Sequence, residues 1–132
     1  MKIGFIGLGN VGGKLASSLL RNKFDLTVRD LDKNLTDKFK NKGSKIANSA
    51  KELAEQTDLI ITCLPSPEIC ADVMESKDGV IHGLSKDKIW LEMSTTDESE
   101  VKRLGKLVSN KEAIPLDGPV SGGCHRAATG NI

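Results

Sequence analysis

What most constrains the fold of this chain is the place where its glycines begin. An apolar run, Lys2-Ile3-Gly4-Phe5-Ile6, opens on the second residue and passes directly into Gly7-Leu8-Gly9-Asn10-Val11-Gly12, with Gly13 behind it. Val11, Leu15, Ala16, Leu19 and Leu20 then recur at the i, i+4, i+8 spacing of one helix face. A strand that turns through spaced glycines into an amphipathic helix is the first half of a βαβ unit.

The same alternation continues. Short apolar runs at 26–28, 59–64, 89–93 and 113–116 have the length and continuity of strands covered on both faces, as in a parallel sheet. Between them lie helix signals. Ser49-Ala50-Lys51-Glu52 is a capping box, Pro67 suits the first turn of a helix running through Ile69 and Val73, and Asp97-Glu98-Ser99-Glu100 places acids at a helix start. The reading is an α/β fold: a doubly wound, mostly parallel sheet with helices on both faces and right-handed crossovers. At 132 residues the chain is one domain, 1–132, without repeats or linkers.

The glycine turn carries the chemistry. Gly7 permits the tight turn, Gly9 lets backbone approach a pyrophosphate, and Gly12 lets helix pack on strand. The helix N-terminus then offers unpaired N–H groups and partial positive charge to the phosphates. Gly13-Lys14-Leu15 lacks the Gly-Lys-Ser/Thr ending of a Walker A loop. Asp30 follows Gly12 by 18 residues, near the offset at which an acid takes the ribose hydroxyls of an adenosine. A carboxylate there repels a 2′-phosphate, so NAD is expected over NADP. Asp32 is a second candidate acid, Arg29 and Lys33 flank the position, and a plain strand-end or helix-cap role for Asp30 stays open.

Two further segments fall on the expected ligand edge. Thr62-Cys63-Leu64-Pro65-Ser66-Pro67 ends a central strand in a stiff loop, and Ser94-Thr95-Thr96 brings hydroxyls to the same rim or caps the next helix. Near the end, Ser121-Gly122-Gly123 is either a structural turn or a nest of N–H groups suited to a carboxylate.

Charge and composition exclude other classes. Nineteen basic against eighteen acidic residues, and 3% aromatics, give no footprint for nucleic acid or an anionic membrane surface. Three cysteines, Cys63, Cys70 and Cys124, without a C-x-x-C pair predict neither a disulfide framework nor a metal site, and Cys63 reads as a small buried thiol. No membrane span or signal peptide is expected, which makes the cytoplasm the expected location.

Taken in order, Gly4-Phe5-Ile6-Gly7-Leu8-Gly9, Leu64-Pro65-Ser66, Ser94-Thr95 and Gly118-Pro119-Val120-Ser121-Gly122-Gly123 resemble the N-terminal domain of the β-hydroxyacid dehydrogenases. The tail from Ala127 to Ile132 resembles that family's continuation. The resemblance implies a Rossmann-type cofactor domain. Gly7, Leu8, Gly9, Asn10, Val11 and Gly12 would hold the pyrophosphate and Asp30 the adenosine ribose. Leu64, Pro65 and Thr95 would line the nicotinamide end, and Ser121, Gly122 and Gly123 would grip a substrate carboxylate. It implies reversible hydride transfer between NAD and a small β-hydroxy acid. Relatives reduce tartronate semialdehyde, glyoxylate or succinic semialdehyde, and imine reductases share the fold. The family's catalytic Lys, its following Asn and its all-helical, dimerising C-terminal domain lie beyond this chain, which the resemblance ends inside a strand. No catalytic residue is therefore expected here, cofactor binding without turnover is, and the full-length form is expected to be a homo-oligomer. A stand-alone dinucleotide sensor is the alternative. His125 and Arg126 depart from the family pattern; a solvent-facing Arg126 is expected, and His125 matches no catalytic position.

Overall fold

The computed structural model describes residues 1–121 and 123–130. Six strands form one parallel sheet: β1 (Lys2–Ile6), β2 (Asp25–Arg29), β3 (Lys45–Ile46), β4 (Leu59–Thr62), β5 (Ile89–Glu92) and β6 (Ile114–Asp117). Six α-helices connect or follow them: α1 (Asn10–Arg21), α2 (Lys33–Asn41), α3 (Ala50–Gln56), α4 (Pro67–Glu75), α5 (Glu98–Asn110) and α6 (Gly123–Thr129). The strand order is β3-β2-β1-β4-β5-β6, the doubly wound Rossmann order.

Alternation along each strand splits the core in two. Ile3 and Phe5 of β1, Leu26 and Val28 of β2, and Ile61 of β4 pack with Leu15 of α1, Phe39 of α2 and Ala127 of α6 on one face. Ile6, Ile60 and Trp90 pack with Leu53 of α3, Met74 of α4, and Leu104 and Val108 of α5 on the other. Trp90 is fully enclosed, and its indole N–H donates to the Thr62 hydroxyl at 2.9 Å, so the polar end of the largest core side chain is satisfied.

The helix starts follow local chemistry. Asp32, Ser49, Ser66 and Asp97 each accept a backbone N–H in the first turn of α2, α3, α4 and α5. The capping box at α3 closes one residue early, with Glu52 reaching the N–H of Asn48 at 3.0 Å. Gly9 precedes α1 and offers no such cap.

Among the described residues, α2, the two-residue β3, α6 and a 3-10 turn at Val80–Gly83 escaped the sequence reading. The strand 59–64 also ends sooner, at Thr62, because Pro65 and Pro67 cannot continue a ladder. The run 113–116 forms β6, but it lies at the sheet edge, with Ile114 45% and Leu116 48% exposed rather than covered on both faces. At the tail the described residues are helical through Thr129; Asn131 and Ile132 lie outside the described residues.

Candidate functional site

The order reverses between β1 and β4. The chain leaves β1 toward α1 on one face and leaves β4 toward α4 on the other, so their C-terminal loops part and open a crevice. A cleft of about 1010 Å³ lies along this edge, at the upper end of the size range of ligand pockets.

The glycine turn forms its floor. Gly7 has φ +101°, in the left-handed region, and a Cβ there would sit 2.2 Å from the Cys63 carbonyl oxygen. A Cβ on Gly12 would sit 1.9 Å from the Gly7 carbonyl oxygen. Both glycines are therefore demanded by the protein's own packing. Gly9 is different: a Cβ there meets nothing within 4 Å. Its bare backbone faces open cleft at the start of α1, whose first N–H groups have no side-chain cap. A pyrophosphate needs this combination of donors, partial positive charge and clearance, and the chain's residues fit one.

Gly7, Gly9, Asn10, Val11 and Gly12 all line the cleft, as do Asp30, Leu64, Pro65 and Thr95. Leu8 does not: its side chain is buried in the core beneath α1, and it takes part through its backbone N–H, which donates to Asp30. Asp30 is half-buried, and its two carboxylate oxygens accept the N–H groups of Leu8 and Asp32, each at 2.8 Å. Asp32 lines the cleft too, but one of its oxygens is engaged in capping α2 through Asn34.

At the other end, Leu64 and Pro65 leave β4 beside Ser94 and Thr95, which leave β5. The Leu64 N–H donates to the Ser94 hydroxyl at 2.7 Å, so Ser94 ties the two loops together, and it is Asp97 that caps α5. Of the Ser121-Gly122-Gly123 turn, Gly123 lines the cleft with φ +67°, Ser121 is exposed outside the lining, and Gly122 lies outside the described residues. His125 and Arg126 are exposed and outside the lining.

Cys63 is half-buried and lines the cleft, so the fully buried thiol is Cys70 instead. Burial, with Glu92 adding to it, raises the pKa of both thiols. Two apolar side chains on the cleft are not among the sequence-predicted site residues: Leu31, 90% exposed, and Ile69, 44% exposed and read from sequence only as part of a helix. The available signal was a leucine set between Asp30 and Asp32, where no core pattern asks for one. Among the described residues no cluster of His, Cys, Asp and Glu could hold a metal ion, and no helix is long and apolar enough to cross a membrane.

Comparison with known proteins agrees with this geometry. The chain is 37% identical over 130 residues to the mitochondrial 3-hydroxyisobutyrate dehydrogenase of Mus musculus, covering 98% of this chain and 39% of that one. It thus spans about two fifths of the length of the curated relatives it matches. Among solved structures, a 3-hydroxyisobutyrate dehydrogenase from Salmonella typhimurium superimposes with a TM-score of 0.90 at 27% identity, over 98% of this chain and 45% of that one. The Mycobacterium tuberculosis 3-hydroxyisobutyrate dehydrogenase, solved with L-serine, gives 0.86 at 25% identity, over 97% and 43%. The family model for the NAD binding domain of 6-phosphogluconate dehydrogenase matches residues 2–132, and the chain belongs to that family.

Proposed function

We propose that this chain is the cofactor-binding part of an NAD-dependent β-hydroxyacid dehydrogenase of the 3-hydroxyisobutyrate type. The observation that carries the reading is Gly9: an unhindered backbone and an uncapped helix start, facing a cleft large enough for a dinucleotide. The α1 N–H groups hold the pyrophosphate, and the remaining lone pairs of Asp30 accept the hydroxyls of the adenosine ribose. Leu31 and Ile69 offer apolar surface to the flat adenine ring. Leu64, Pro65 and Thr95 border the nicotinamide, which supplies the hydride chemistry when bound. Ser121, Gly122 and Gly123 take the carboxylate of a small β-hydroxy acid or semialdehyde substrate.

The negative charge of Asp30 favours NAD over NADP, because a 2′-phosphate would meet a carboxylate already committed to the loop's N–H groups. The identity of the relatives supports 3-hydroxyisobutyrate as substrate of the whole protein. Among the described residues no lysine lines the cleft; in this reading the chain by itself binds cofactor without turnover, and the acid/base group comes from elsewhere in the full-length protein, a homo-oligomer.

The test pairs two assays. The full-length protein is expected to reduce NAD with 3-hydroxyisobutyrate, while the 132-residue chain binds NADH and yields no product under the same conditions. Robust oxidation by the chain alone would overturn the division of labour. Inactivity of the full-length protein on every β-hydroxy acid would overturn the substrate class.

A further inference from the structure

Glu92 is the one acid with no solvent exposure in the chain's described residues, at the C-terminal end of β5 with Thr62 of β4 and Asp117 of β6 beside it in register. It sits in the layer that holds Cys70, Met74, Trp90 and Leu104, and among the described residues no lysine or arginine pairs with it. A carboxyl group taken out of water without a cation is costly unless its oxygens are satisfied. Both are. Oε1 accepts the N–H of Ser94 at 2.8 Å, and Oε2 accepts the Cys70 thiol at 2.6 Å. Burial, reinforced by Glu92, pushes the Cys70 thiol far above its ordinary pKa, so it stays protonated and donates.

The connections continue to the cleft. The hydroxyl of Ser94 accepts the Leu64 N–H at 2.7 Å, and Cys70 lies in α4, the helix that the Leu64-Pro65-Ser66-Pro67 loop enters. One side chain therefore holds both ends of that loop, through Ser94 at Leu64 and through Cys70 in α4. A leucine in this layer would satisfy the packing and hold neither.

We propose that Glu92 is a positioning residue for the nicotinamide end of the cofactor: through Ser94 and Cys70 it fixes Leu64 and Pro65 at the spacing the ring requires. The inference rests on the dinucleotide reading of the cleft given above. Glu92 itself touches no ligand, and the adenosine and pyrophosphate ends lie on β1, β2 and α1, outside its connections.

The test compares NADH with ADP-ribose, which keeps the adenosine, pyrophosphate and second ribose and lacks the nicotinamide. Both are titrated into the wild-type protein and into Glu92→Leu, Glu92→Gln and Ser94→Ala, each checked for native circular dichroism. Wild type is expected to bind NADH more tightly than ADP-ribose. Glu92→Leu and Ser94→Ala are expected to leave ADP-ribose affinity unchanged and to weaken NADH about tenfold, the size of one lost hydrogen-bond tether. Glu92→Gln, which keeps an oxygen for the Ser94 N–H, is expected to restore most of the NADH advantage. Equal weakening of both ligands, or an unchanged ratio, would reduce Glu92 to a core residue and overturn the inference alone. Wild-type protein that binds neither ligand would overturn the dinucleotide reading as well. If Glu92→Leu does not fold, Ser94→Ala, which keeps the buried carboxyl, decides the matter by the same ratio.

Discussion

The carboxylate of Asp30 accepts the backbone N–H of Leu8 at 2.8 Å, joining the end of β2 to the glycine turn after β1. The residue proposed to meet the ribose thus also shapes the loop proposed to meet the pyrophosphate. Asp30→Ala removes a charge-assisted acceptor from two N–H groups and is expected to lower stability by about 2 kcal/mol in urea unfolding. Asp30→Asn keeps an acceptor and removes the charge, so it is expected to fold well and to narrow the preference for NADH over NADPH by about tenfold or more. An unchanged preference in a folded Asp30→Asn would remove Asp30 from the specificity argument.

Gly9 and Gly12 look alike in the sequence and differ in the structure. A methyl on Gly12 collides with the Gly7 carbonyl, whereas one on Gly9 enters empty cleft. Gly12→Ala is expected to cost about 1–3 kcal/mol of stability through overpacking. Gly9→Ala is expected to melt within a few degrees of wild type, about the scatter of a surface change, while losing dinucleotide affinity. Thermal melts and titrations of the pair separate the two roles; a destabilised Gly9→Ala would contradict the assignment.

Arg103 of α5 grips Glu75 of α4 through both outer nitrogens and also pairs with Glu100. Its hydrogen bonds hold both carboxyls below the usual glutamate range. A carboxylate with a lowered folded-state pKa stabilises the fold fully above its unfolded value, about 4.3, and loses that contribution as pH falls through the folded value. Arg103→Met is therefore expected to be less stable than wild type at pH 7, with the gap closing in acid below about pH 4. Denaturation across pH and salt checks it, since an exposed cluster is also weakened by ionic strength. A gap that widens in acid would refute the assignment.

Cys63 lines the cleft and Cys70 is sealed beneath it. Alkylation at mildly alkaline pH is expected to spare Cys70 in the native protein and to modify Cys63 slowly, since burial and Glu92 raise its pKa. Saturating NADH is expected to slow Cys63 further and leave Cys124 unchanged. Peptide mapping after timed quenching reads this out, and protection confined to Cys124 would place the ligand elsewhere.

Much of this was legible because local chemistry and fold agreed. The glycine turn, the capping box at Ser49, the acids from Asp97 to Glu100 and the apolar runs each announced an element on their own. What stayed hidden had weak or distant signals. The helix α2 is mostly polar, with Thr36 and Phe39 buried and Leu35 partly so, and β3 gains its two residues of ladder solely from pairing with β2. The exposure of β6 comes from its place in the strand order, which a run of apolar residues does not encode. Glu92 falls inside the apolar run 89–93 as its one acid and is not singled out by that pattern; its register beside Thr62 and its reach to Cys70 show how a buried carboxyl is accommodated there.

Trp90 is the sole tryptophan and lies two residues before Glu92 on the strand whose loop borders the cleft, so its emission is the probe for a reduced nicotinamide bound as proposed. The most direct test of the account is a titration of the folded chain with NADH and, separately, NADPH, read as loss of Trp90 emission. The account predicts saturable quenching by NADH, saturation by NADPH only at concentrations about tenfold or more higher, and no saturation by NADH in Gly9→Ala. Quenching that never saturates with either nucleotide, in a chain whose circular dichroism is native, would contradict it.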